Sequence, residues 1–345
     1  MRKTRFLVGL LAALVLIAGA ALLFSPREMP PPGTRTASAP VASASSAAWP
    51  QSFTDALGSS LTLAQPAQRI VALSPNLAEI VCAVGAGDQL VGVTDFVHYP
   101  PEAAAKPHVG GVINPDLEKI VALNPDLVLV SRGLDRPVVD RLRTLNFQVY
   151  ASDPQSLEEV FALVEQVGAM SGHETQARQL VAGLRQRRDR VVAQAKALPA
   201  RPRVMLAIDW KGLFVAGACS FAQDLLSQSG GVNVVAAMPG ISPQKPWPNV
   251  TRELVVSADP QVIILAGAEA APVGGDAAAT LRLLREDKAW ANLSAVRNGK
   301  VSILDADLLT LPGPRLVDGM ERLVAIFAAA AKAGDQGGQP APAGS

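Results

Sequence analysis

Two stretches of this 345-residue chain, DLEKIVALNPDLVLVSRG (116–133) and VTRELVVSADPQVIILAG (250–267), align without a gap up to an apolar strand. Each reads as a capped short helix, a proline stop, a β-branched apolar run and a glycine. Glu118 precedes Pro125 by the same interval that separates Glu253 from Pro260. A carboxylate in a first helical turn is favoured by the helix dipole by about 0.3–1 kcal/mol, with Asp116 and Thr251 as the caps, so one such glutamate needs no further reason. The shared offset does need one, unless it is chance, and it points to a repeated helix–strand unit in each half of the chain. The rest of the sequence keeps the same rhythm. Apolar runs such as RIVALS (69–74), DLVLVS, RVMLAI, QVIILAG and KVSILDA alternate with helical patterns, which describes parallel sheets covered on both faces.

The ends of the chain are of another kind. Arg2, Lys3 and Arg5 precede an uninterrupted apolar run of 19 residues, Phe6 to Phe24. Positive charge stays cytoplasmic while the apolar stretch enters the membrane, so residues 1–24 export the remainder of the chain. The run lies between a secretory core of about 7–15 residues and a span of about 20, so cleavage and retention as an anchor through residues 6–24 both stay open. No cysteine comes after it nearby, which argues against lipidation there. Residues 25–51 are a Pro/Ser/Ala-rich tether, and 333–345 a tail with little to bury. Between them lie an α/β lobe (52–153), a helical connector (154–200) and a second α/β lobe (201–332). Gly168 and Gly172 punctuate the connector, and its 174–198 stretch would span ~37 Å as one helix.

Several chemistries are excluded or disfavoured. Thirty-one basic against 30 acidic residues offer no basic excess for nucleic acid. The chain has no Gly-x-Ser-x-Gly elbow, no Walker A loop and no intact Gly-x-Gly-x-x-Gly. Cys82 fits a helix core, and Cys219, which a helix dipole could activate, fits a small residue at a turn. The three histidines, His98, His108 and His173, include none in the second lobe, which disfavours a bare-ion site shared between lobes. The aromatics are few (4%) and so carry weight. Trp247 stands between Pro246 and Pro248, where a stiffened loop would display an indole to a flat ligand or pack it underneath. Tyr99, before Pro100, suits either a structural or a ligand-facing role, and Trp210 comes after a strand end, from which it could face a cleft.

RIVALSPNLAEIVCAVGAGDQLVGVTDFVHYPPEA, the first repeat unit and KPWPNVTRELVVSADPQVIILAG together resemble the helical-backbone class (class III) of ABC-importer substrate-binding proteins, over about 52–330. Within it the likeness is greatest to the cobalamin-binding branch, then to siderophore and haem binders. The resemblance implies two Rossmann-like lobes with parallel sheets, joined by a single long α-helix, with a ligand cleft between them. It implies an extracytoplasmic, non-enzymatic monomer without a resident cofactor, which captures a metal-chelate nutrient and hands it to an ABC permease and its ATPase. Cobalamin or a related corrinoid is the first choice of ligand, with a ferric siderophore or haem as the alternative. A sensor or scavenging protein using the same cleft is the competing class. Trp247 falls at the family's corrin-stacking tryptophan, and Phe96 at a ligand-contacting tyrosine. Glu118 and Glu253 match the glutamates that grip the permease, one per lobe. Three family ligand contacts are replaced here by Val112, Ser131 and Leu311, with Arg132 and Arg315 nearby; the loss of two aromatic walls would weaken corrin stacking.

Overall fold

A computed structural model of the protein describes residues 48–131 and 136–334. The chain enters through an antiparallel hairpin, Gln51–Thr54 (β1) and Ser60–Leu63 (β2), which buries the alternate residues Leu61 and Leu63. Ile70–Ala72 (β3) is buried along its whole length, as its continuous apolar run requires. Ser74 then takes the extended N-cap conformation, and Pro75 opens the first helix, Pro75–Ala83 (α1). The Ser74 hydroxyl caps no backbone amide; it donates to Asn76 Oδ1.

The first lobe continues with Leu90–Val93 (β4), Pro101–Ala104 (α2), Leu117–Leu123 (α3), Leu127–Ser131 (β5), Arg136–Thr144 (α4) and Val149–Ser152 (β6). Its four strands lie in the order β4-β3-β5-β6, all parallel. Two helices come next. Leu157–Ser171 (α5) is opened by Ser156, whose Oγ accepts from the Glu159 amide (3.3 Å), while Glu159 reaches back to the Gln155 amide (2.7 Å). It runs through Gly168 and stops at Gly172, where φ is 76°. Glu174–Lys196 (α6), 23 residues, then leads to the second lobe.

That lobe comprises Arg203–Asp209 (β7), Phe214–Val215 (β8), Phe221–Gln228 (α7), Val232–Asn233 (β9), Arg252–Ala258 (α8), Val262–Ala266 (β10), Ala277–Glu286 (α9), Ser294–Arg297 (α10), Val301–Leu304 (β11), Asp307–Thr310 (α11) and Leu316–Gly334 (α12). The strand order is β11-β10-β7-β8, with β9 also on β7. All pairs are parallel except β7 with β8, a two-residue strand that turns straight back on its neighbour.

The sequence repeat is a repeat in space. Asp116 and Thr251 cap α3 and α8, each seven residues long. Asn124 (φ 45°) and Asp259 (φ 38°) end them in the left-handed conformation before Pro125 and Pro260, and β5 and β10 come next. Arg69, just before β3, and Arg203, which opens β7, seal both C-termini: Arg69 Nη2 donates to the Leu123 carbonyl (2.6 Å) and Arg203 Nη2 to that of Asp259 (2.8 Å). Asp126 and Gln261 in turn each accept the backbone N–H of the matching arginine at 2.9 Å.

Burial explains the layering. One apolar cluster runs without interruption from α1 and the inner face of the first sheet, through Phe161 of α5 and Val181 of α6, to Leu206 of β7 and Phe327 of α12. The outer face of each sheet has its own cluster. The lobes therefore share one core along one side, and the connector belongs to it. Among the described residues no helix is long and apolar enough to cross a membrane; the run 6–24, the tail from 335 and all but 48–51 of the tether lie outside the described residues.

Candidate functional site

Strands of a parallel sheet end where their helices begin, and the open crevice beyond those carboxyl ends is where ligands fit. Here the crevice of the first sheet faces the start of α7 in the second lobe. The cleft between them holds a half-open pocket of about 210 Å³. Its first wall is hydroxyl and amide with one carboxylate: Asn76 just after β3, Ser131 closing β5, Ser152 closing β6, and Asp153 and Gln155 beyond it. Its second wall carries Phe221, the Cys219 thiol and Trp247, with Pro312 at the join. Cys219 is a free, exposed thiol, whereas burial pushes the half-buried Cys82 up to about 11.

Trp247 reaches this wall because of its prolines. Proline has no N–H to donate, so KPWPNV cannot be a central strand. It lies instead against the edge of the second sheet and accepts: Gly217 N–H donates to the Pro246 carbonyl (2.8 Å) and Val215 N–H to that of Pro248 (3.0 Å). Gly217 is what lets the two chains meet, since a Cβ there would stand 2.2 Å from the Lys245 carbonyl oxygen. Between those two anchor points the indole is half-buried and packs on the common core.

The other expected residues are spread more widely. Phe96 is 57% exposed on the loop after β4, its ring edge beside Gly111, outside the set that lines the pocket. Tyr99 is 45% exposed, and one face of its ring is covered by the Arg315 guanidinium, 4.0 Å from the centroid. Trp210 does not face the cleft: it is buried in the outer core of the second lobe, centroid 4.9 Å from that of Trp290. The end of β7 turns it away, because its amide is tied to the Ala270 carbonyl (3.0 Å). Arg132 lies outside the described residues. His108 bonds the Ala104 carbonyl (3.1 Å), and His173 bonds the Ser171 carbonyl (2.9 Å) in the break between α5 and α6.

Glu118 and Glu253 are exposed in the first turns of α3 and α8. Its own backbone N–H and the Thr251 hydroxyl hold the Glu253 carboxyl below the usual range. One turn beyond each, Val121 (49%) and Val256 (42%) also stand exposed, at equivalent places in the repeat.

One group of residues is not foreseen by the sequence. Arg315, by sequence a plain charge near the last helix, pairs with Glu79 of α1 at 2.9 Å and with Asp307 of α11 at 3.2 Å. Burial pushes the Glu79 carboxyl above its ordinary value, although the Arg315 bonds pull the other way. The available signal is a single charged residue, Glu79, in the mostly apolar NLAEIVCAV, since a carboxylate is rarely buried without a partner.

Comparison with known proteins agrees with this geometry. The profile of the family described as periplasmic binding protein matches residues 70–308. A vitamin B12-binding protein of Yersinia pestis is 34% identical over 216 residues, which cover 61% of this chain and 73% of that one. An uncharacterized ABC transporter substrate-binding lipoprotein of Bacillus subtilis is 28% identical over 80% of this chain and 84% of its own. Among solved structures, the periplasmic vitamin B12-binding protein of Vibrio cholerae superposes with a TM-score of 0.66 at 30% identity, covering 77% of this chain and 98% of that one.

Proposed function

This chain belongs to the periplasmic binding protein family, and we propose that it captures a corrinoid, cobalamin first, and delivers it to an ABC permease. It is an extracytoplasmic substrate-binding protein of the class III fold. The observation that carries the choice of ligand is the contrast between the two walls of the cleft. A corrin is a broad, flat macrocycle fringed with neutral amide side chains. The indole of Trp247 and the ring of Phe221 suit its face, while Asn76, Ser131, Ser152 and Gln155 suit its fringe. The exposed Tyr99 favours a second reading, because an exposed phenol is the kind of group that ligates haem or ferric iron.

Calorimetric titration with cyanocobalamin, cobinamide, haemin and a ferric hydroxamate decides between them. The expected order has cyanocobalamin and cobinamide far tighter than either iron compound; the reverse order would transfer the site to iron chelates.

Glu118 and Glu253 supply the docking charges in this reading. Support comes from their exposure, their equivalent places in the two lobes and the exposed valine that accompanies each. Rim charges govern encounter and orientation more than folding. The pair Glu118→Lys and Glu253→Lys is therefore expected to keep ligand affinity and unfolding temperature, yet lose transport and ATPase stimulation in a reconstituted importer. Normal transport by that variant would leave the glutamates as helix-dipole residues only. The apolar run 6–24 would hold the protein at the membrane that contains its permease, as fractionation and N-terminal sequencing of the mature chain would reveal.

A further inference from the structure

A single guanidinium joins groups from both lobes at the edge of the cleft. Arg315 ends the loop LPGPR (311–315) of the second lobe. Its Nε donates to Glu79 Oε2 at 2.9 Å, its backbone N–H to Glu79 Oε1 at 3.3 Å, and its Nη2 to Asp307 Oδ2 at 3.2 Å. Its Cζ lies 4.0 Å from the centroid of the Tyr99 ring. Glu79 and Tyr99 belong to the first lobe, Asp307 and Arg315 to the second. The pair is withdrawn from water, with side-chain exposures of 17% for Arg315 and 6% for Glu79. The same loop is held again one turn away, where Asn76 Nδ2 donates to the Pro312 carbonyl at 3.2 Å. At Gly313 a Cβ would come within 3.3 Å of Glu79 Oε1, so the loop runs close over the carboxylate.

We infer that Arg315 is a positioning residue for the ligand cleft: it clamps the ring of Tyr99 at the rim and fixes the Pro312 edge of the opposing wall. A guanidinium can do this because it is planar, bonding carboxylates in its own plane while an aromatic ring covers its face; an ammonium has no such plane. A carboxylate as buried as Glu79 loses heavily without its cation, so the bond between the lobes resists opening. The rim is thus set before any ligand arrives, and ordering it costs nothing at binding. Sequence position hides the arrangement, since Glu79 and Arg315 are 236 residues apart.

The test has two arms, of which only the second rests on the corrinoid reading. The chain holds two tyrosines, Tyr99 and Tyr150, and Tyr150 is buried in the first lobe against Gln166. Fluorine NMR of the 3-fluorotyrosine-labelled, ligand-free protein therefore gives one resonance for the rim and one for the fold. In Arg315→Lys the Tyr99 resonance is expected to move and sharpen as the ring is released, with the Tyr150 resonance unchanged. Glu79→Gln, which keeps an acceptor for Arg315, should move it in the same direction by less, and serves if the first variant folds poorly. A Tyr99 resonance that stays in place in both variants overturns the inference.

In the second arm, Arg315→Lys is expected to weaken cyanocobalamin binding about fivefold, the worth of one partly exposed cation–π contact. Adding Tyr99→Leu to that variant should then change affinity by less than about twofold, because the two act through one contact. Losses that simply multiply would overturn the coupling. If the wild-type protein binds no cyanocobalamin while the Tyr99 resonance behaves as described, the corrinoid reading fails and the positioning role stands.

Discussion

The indole of Trp210 shares its core with Trp290, over whose ring Arg252 lies at 4.9 Å. Truncating a buried tryptophan costs about 3–5 kcal/mol through lost burial and the cavity left behind. Trp210→Ala is accordingly expected to lower the unfolding temperature markedly, while the fraction that remains folded keeps its ligand affinity. A loss of affinity at unchanged stability would put Trp210 back in the cleft. The contrast with Trp247 shows what the sequence could carry. Two flanking prolines exclude a sheet interior whatever the rest of the fold does, so the placement of Trp247 on an edge loop was legible. Nothing beside Trp210 says which way the end of β7 turns, and Trp290, its partner, is 80 positions away. The Glu79–Arg315 pair was half legible for the same reason: the lone glutamate is visible in its helix, but its cation arrives from the far end of the chain.

Among the helices, α6 and α12 are joined by Arg187, whose Nε bonds Glu321 Oε1 at 2.9 Å and whose Nη2 lies against both Asp318 and Glu321. The Arg187 bond holds the Glu321 carboxyl below its ordinary 4.5. A carboxyl depressed in the fold contributes stability that is complete above its unfolded value and is lost as pH falls through the folded one. Arg187→Met should therefore unfold at a lower temperature than the wild type near neutral pH, by a modest margin because the pair is partly exposed. That gap should close as pH drops below 4.5. Thermal unfolding over a pH series reads this directly, and a constant gap would contradict it. At this scale the sequence spoke through punctuation: Pro75, the capping box at Ser156 and the paired Pro125 and Pro260 all mark element ends. The antiparallel turn of β8 left no such mark, because two residues show no periodicity. Nor did the close passage of α5 against α6, where a Cβ on Gly168 would stand 2.3 Å from that of Ala177.

For the molecule as a whole, the repeat anticipated two lobes of one design, while the core common to both emerges only in three dimensions. α5, α6 and α12 bury Phe161, Val181 and Phe327 in a single cluster with residues of both sheets. Changing the angle between the lobes would disturb close-packed apolar contacts as well as the Glu79–Arg315 and Asn76–Pro312 bonds. A cleft held this firmly suits a ligand of fixed shape, and the proposed function makes the indole of Trp247 its platform. Equilibrium dialysis of the wild-type protein and Trp247→Ala against cyanocobalamin, monitored by its visible absorbance, tests this most directly. The wild type is expected to retain one cyanocobalamin per chain, and Trp247→Ala to bind several-fold more weakly with its unfolding temperature preserved. No retention by the wild type, or equal retention by the two, would contradict a corrinoid site built on Trp247.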